Sequence, residues 1–263
     1  MLSCARILFD SPQVQVICGA ERKIFHVCRD LLAIHSQYFR LKIRTVDNDT
    51  GDYKISLRDV KPNLFANYVA WLHTRNTTVG FMQVREEEME ALWALGQTLS
   101  DARFQNWVMD NLRNEASKAL GERAYKVYNR RWPEIQEVEL VYHLTERGSA
   151  LRKLAADVLA CANPLHDQDI ETQEEWAACL ERQPAISLDI LKAGGRNWNG
   201  TNPWDDEHRA SYMVPFVPLE QRWEEQILME RPREEIELAA EGGCTRSRIQ
   251  LQLLDERIEE REQ

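Results

Sequence analysis

Glycine and proline are scarce, at 11 and 9 of 263 residues, too few for a collagen-like or low-complexity chain. No run approaches the roughly 18 consecutive apolar residues of a membrane span, so the reading is a protein without a membrane segment. Cysteine is sparse too: six thiols stand at positions 4, 18, 28, 161, 179 and 244, with no C-x-x-C pair and no zinc-finger spacing. Scattered thiols of this kind are reduced packing residues. The stretch Met1 to Asp10 is interrupted by Arg6 and Asp10, so it lacks the apolar core of a secretory signal, and the expected location is intracellular, nuclear or cytoplasmic.

Positive charge is in short supply as well. Basic residues number 33 against 43 acidic ones, for a net charge of -10. Affinity for nucleic acid is built by Lys and Arg displacing counterions, so a direct nucleic-acid partner is not expected. No G-x-S-x-G elbow, P-loop or G-x-G-x-x-G accompanies the histidines at 26, 35, 73, 143, 166 and 208, and Gly194-Gly195 is isolated. No catalytic residue, metal ligand or cofactor site is assigned, and the protein is expected not to be an enzyme, the remote alternative being an enzyme whose site lies in the C-terminal half, within residues 119–218. Asp47-x-Asp49-x-Gly51 has carboxylates at alternate positions. Its sixth residue is Asp52 and its twelfth Arg58, where a calcium loop needs Gly and Glu, so it reads as a solvated loop. His166-Asp167-Gln168-Asp169 reads as a polar break after Pro164.

What is present is 43% hydrophobic residues, enough for one or two domains with a real core. The charge is unevenly spread: residues 1–118 carry +1, residues 119–218 carry -5 and residues 219–263 carry -6. A near-neutral first domain, a mildly acidic middle and a charged tail follow.

Val14, Val16 and Ile17, then Ile24, Phe25 and Val27, are β-rich runs flanking Gly19-Ala20-Glu21-Arg22, which predicts a hairpin. From Asp30, Leu31, Ile34, Tyr38, Leu41 and Ile43 recur at near-helical spacing, with Ser36 as a cap between two short helices rather than one long one. Tyr53, Ile55 and Leu57 alternate with polar residues as in a half-buried strand. Helices are predicted over Asp59–His73, with Leu64, Phe65, Tyr68, Val69 and Leu72 on one face, and over Glu86–Leu99, burying Met89, Leu92, Trp93 and Leu95 or Gly96. Another is capped by Asp101 and runs through Phe104, Val108 and Leu112. A small sheet walled by helices is an α+β arrangement. Residues 119–183 look helical, broken at Pro133, Gly148 and Asn163-Pro164, and residues 194–218 look irregular. Leu219, Trp223 and Ile227, then Leu251, Leu254 and Ile258, give the tail helix-forming patterns. The last stripe is either a marginal, partly disordered tail or a partner-binding helix.

The stretch Phe25-His26-Val27-Cys28-Arg29-Asp30-Leu31-Leu32-Ala33-Ile34-His35-Ser36-Gln37-Tyr38-Phe39 resembles the "F-x-V-H-K-x-L-L-x-x-x-S-x-Y-F" signature of the BTB/POZ domain, with Cys28 where the pattern has His. Ile55 to Val60 with Phe65, Tyr68, Trp71 and Leu72, and Leu92 to Gly96 through Asp101, Phe104, Asn106, Val108 and Met109, are similar to its later elements in the form common in fungal proteins. Tyr142 to Leu154 resembles a helix pair that often follows such domains. The resulting organisation is a BTB/POZ-like α+β domain at residues 9–118, in which a small sheet is flanked by helices. A mostly α-helical region at 119–193, a Gly/Pro/Trp-containing segment at 194–218 and a charged tail at 219–263 follow.

The resemblance implies a non-catalytic protein-interaction module, commonly a homodimer, that serves as a scaffold or as a substrate adaptor of a cullin-type ubiquitin ligase. In the family, the segment before the hairpin and the first helix often form the dimer seam, which here points to Ile7, Leu8, Phe9, Leu31 and Ile34. The alternative is that these side chains finish a monomer core. For a partner such as a cullin the resemblance points to Tyr38 and Ile43, although Ile43-Arg44-Thr45-Val46-Asp47 lacks the Glu of the hydrophobic-x-Glu motif. Trp198 and Trp204 stand in a Gly- and Pro-rich stretch that either packs back onto the helices or presents a recognition loop. Arg130-Arg131 and Arg152-Lys153 read as solvated helix faces.

Overall fold

The computed structural model describes residues 12–45, 53–74, 88–120, 133–163, 165, 170–196, 198 and 200–216. The first two β-rich runs form strands β1 (Gln13–Cys18) and β2 (Lys23–Cys28), paired antiparallel with Val14 opposite Val27 and Val16 opposite Phe25. Gly19 makes the turn at φ +68, where a Cβ would come within 3.0 Å of the Pro62 ring. Only a residue without a side chain meets both demands easily. Strand β3 (Lys54–Leu57) lies on the other side of β1 and runs parallel to it, giving the sheet order β2-β1-β3. Alternation places Val14, Val16, Cys18, Val27, Ile55 and Leu57 on the buried face. Burial pushes the Cys18 thiol up to about 12, which makes it a packing residue and not a reactive one.

Helices α1 (Arg29–His35) and α2 (Gln37–Thr45) carry the chain from β2 toward the far edge of the sheet. Ser36 divides them as expected. Its Oγ accepts the Phe39 N–H at 3.1 Å and donates to the Leu99 carbonyl at 2.5 Å, so the cap also ties α2 to a residue distant in sequence. Helix α3 (Pro62–Thr74) starts later than predicted from Asp59. Val60 N–H closes a turn onto the Leu57 carbonyl, and Pro62 takes the first helical position, where its missing N–H costs nothing. Leu64, Phe65, Tyr68 and Leu72 are buried, joined by Trp71, while Val69 is half-buried.

Helices α4 (Met89–Thr98) and α5 (Ala102–Leu120) pack as a tight pair. Leu92, Trp93, Leu95 and Gly96 are buried, Met89 is half-buried, and Glu86 and Glu87 lie outside the described residues. Asp101 caps α5 by accepting the Phe104 N–H at 3.0 Å. The aromatic rings of Phe39, Phe65, Tyr68, Trp71 and Phe104 make edge-to-face and tilted contacts at 5.0 to 6.1 Å around this junction, a favourable use of ring quadrupoles.

Beyond the sheet come α6 (Ile135–Leu144), α7 (Ala150–Ala162), α8 (Ile170–Arg182) and α9 (Pro184–Gly194). The breaks fall where the sequence signals them. Gly148 has φ +84, Ser149 caps α7 by accepting the Arg152 N–H, and Asn163 ends α7 in the left-handed region at φ 48. Helix α6 packs on α4, and α7 packs on α9 and α5, so the helical region shares its core with the first domain.

Two expectations are corrected here. Residues 194–218 are not all irregular, because Asp206–Tyr212 form a 3-10 helix whose Tyr212 is fully buried. Arg152 and Lys153 are not a solvated face. Arg152 donates to the Tyr142 carbonyl at 2.7 Å and lies over the Tyr142 ring, and Lys153 donates to the Ser211 carbonyl at 3.0 Å. Residues neighbouring in sequence say nothing of the Ser211 carbonyl that tertiary packing brings to Lys153. The Asp47–Asp52 loop, Arg130-Arg131, His166–Asp169 and the Leu219–Ile227 and Leu251–Ile258 stripes lie outside the described residues.

Candidate interaction surface

The residues expected at a dimer seam fall into two groups. Ile7, Leu8 and Phe9 lie outside the described residues. Leu31 and Ile34 are almost wholly buried within the single chain, inside α1. What α1, α2 and the sheet leave outward is different: Ile24 on the edge strand β2 is 52% exposed, paired across the strands with half-buried Ile17. On α2, Leu41 is also 52% exposed, one turn from part-buried Tyr38, and Ile43 is half-buried against the core.

Trp198 and Trp204 do not join this surface. Both are half-buried, and residues 200–216, with Trp198 before them, fold back as a strap over α5 and α7. The Trp198 ring meets His208 edge-to-face at 4.9 Å. Trp204 packs against the core and its carbonyl accepts a hydrogen bond from Arg113 at 2.8 Å.

The strap is held by polar anchors on α5 at positions 103, 106, 110 and 113, whose spacing puts them on one helix face. Arg103 lies over the Phe216 ring at 5.3 Å. Asn106 donates to the Val214 carbonyl at 2.8 Å and accepts the Val214 N–H at 2.6 Å. Asp110 takes both Nε and Nη2 of Arg209 at 2.7 Å each, a two-pronged pairing that fixes direction as well as position. Buried Arg113 donates to the Trp204 and Asp205 carbonyls, each at 2.8 Å.

The other side of the strap is pinned to α7. Tyr212 O–H donates to Asp157 Oδ2 at 2.9 Å, and Arg196 pairs with the same oxygen. Asp157 is buried, and its Oδ1 has no hydrogen-bond partner among the described residues. Burial pushes its carboxyl above the usual range, against the pull of Tyr212, Arg196 and Lys153. Burial also raises the Tyr212 phenol, and the neighbouring Asp157 charge adds to this.

Between α1, α3, α5 and the strap runs an open groove of about 720 Å³. His35, Trp71 and Trp107 line one side and Met213 to Phe216 another. Sequence reasoning missed Asn106, Asp110, Arg113 and Asp157 as anchors. The signal was there as a polar stripe on α5, but a polar helix stripe normally means solvent.

Among the described residues, no group of three or more His, Cys, Asp and Glu is placed to hold a metal ion, and no helix is long and apolar enough to cross a membrane. Residues 9–114 match the BTB/POZ domain family. The chain therefore carries a BTB/POZ domain there, a protein–protein interaction module of a kind that is generally non-enzymatic. No curated protein matches the chain.

Proposed function

We propose that the protein is a homo-oligomeric scaffold of the fungal BTB type, acting by binding and not by catalysis. Residues 9–118 associate with a second copy, and residues 119–193, 194–218 and 219–263 hold what is to be brought together. The seam comprises the segment with Ile7, Leu8 and Phe9, the outward face of β2, and α1, which Leu31 and Ile34 brace from within. The observation that carries this reading is the exposure of Ile24, at 52%, on an edge strand of a domain from an interaction family. An apolar cross-strand pair facing water is a natural site for a partner surface. A dimer raises the local concentration of whatever each copy holds, to the millimolar range for short connections.

Light scattering on the full chain tests the proposal. Twice the 30.7 kDa chain mass is expected, with a return to monomer on Ile24→Asp. A monomer at all micromolar concentrations overturns it. A second reading, adaptor of a cullin-type ligase, is supported by exposed Leu41 beside Tyr38 on α2, with Ile43 further along that helix. Retention by an immobilised cullin that is lost on Tyr38→Asp would favour it, and no retention would remove it.

A further inference from the structure

Helix α5 already holds an extended segment of its own chain. The Asn106 carboxamide pairs with the N–H and the carbonyl of Val214, at 2.6 and 2.8 Å, as a facing strand residue would in an antiparallel ladder. These bonds read backbone alone, so the side chains on either side supply the selectivity. Met213 is extended, at φ -82 and ψ 137, and packs against the core. Pro215 holds the next step extended. Phe216 lies under the Arg103 guanidinium at 5.3 Å yet stays 45% exposed.

This arm covers only one wall of the groove. Among the described residues, the groove that the arm lines together with His35, Trp71 and Trp107 keeps about 720 Å³ of open space. The indole N–H of Trp71 is buried there with no hydrogen-bond partner among the described residues. The face thus accepts an extended chain and leaves room for one bulkier than the arm.

We propose that this face of α5 is a docking groove for an extended peptide of a partner protein, carrying an aliphatic residue, any residue with an N–H, then proline and an aromatic residue. Met213 to Phe216 is its occupant in cis. Tethered at millimolar effective concentration, the arm shields the groove, and a partner segment must displace it to bind. The proposal does not depend on dimerisation.

The test uses the full chain and a fluorescein-labelled heptapeptide with the sequence of residues 210–216, followed by anisotropy. Val214→Pro removes the N–H that Asn106 accepts while suiting the extended Met213 before it. That variant should bind the probe at least tenfold more tightly than the unaltered chain. Adding Asn106→Ala should abolish the gain, because it removes the receptor. Equal binding by the unaltered and Val214→Pro chains, or binding indifferent to Asn106, overturns the proposal. Conversion of a dimer to a monomer by Val214→Pro also overturns it, since the arm would then be exchanged between copies. Should Val214→Pro fail to fold, the Met213→Ala/Phe216→Ala chain, which keeps the backbone, takes its place with the same expected gain.

Discussion

Asp101 offers the sharpest quantitative prediction. It sits between α4 and α5, one oxygen accepting the Phe104 N–H at 3.0 Å and the other the Tyr68 hydroxyl at 2.9 Å. The residue is 1% exposed, and burial raises its carboxyl from the ordinary 3.8 to about 6, overriding the hydrogen bonds that pull the other way. A raised folded-state value means that folding favours the protonated form. The contribution is therefore fully present below about pH 4 and is lost as pH rises through about 6. Carried through the linkage relation, these values make this one group worth about 2 kcal/mol more at about pH 4.5 than at about pH 7.5. Asp101→Asn removes the titration and keeps an oxygen for the Phe104 N–H. Urea unfolding of both chains at the two pH values should show the unaltered protein gaining about 2 kcal/mol on the variant at the lower pH. A difference between the two proteins that does not change with pH would refute the reasoning.

Two further substitutions test the packing and the strap. Gly96→Ala places a Cβ 2.6 Å from Gln105 Cγ and 3.1 Å from the Phe104 ring. The Gln105 side chain can move but the ring is locked among aromatics, so thermal unfolding should show a loss of about 1–3 kcal/mol. An unchanged midpoint would mean that α4 and α5 are less closely packed. Tyr212→Phe strips a hydrogen bond from Asp157, whose other oxygen already lacks a partner among the described residues. It should cost about 1–3 kcal/mol and speed limited proteolysis between residues 196 and 216. An unaltered cleavage pattern would contradict the clasp.

Local signals carried the first domain far. The alternation of Tyr53, Ile55 and Leu57, the cap at Ser36 and the cap at Asp101 are each written within a few residues. Their physics is local: side-chain period, orphan N–H groups, and the φ that Gly19 permits. The match of residues 9–114 to the BTB/POZ family agrees with that reading. The start of α3 was placed three residues early, because the turn closed by Val60 depends on the position of β3.

The strap was illegible for a different reason. Asn106 and Val214 are 108 positions apart, and Arg113 reaches a carbonyl 91 positions away. Lys153 likewise bonds a carbonyl 58 positions away, whereas Arg152 bonds carbonyls only 10 and 7 positions back. The sequence by itself determined a small sheet walled by helices and, through its resemblance to the BTB/POZ signature, the kind of module it belongs to. Which polar side chains meet water and which hold the strap was decided only by tertiary structure, because a polar group binds whatever acceptor the fold delivers to it.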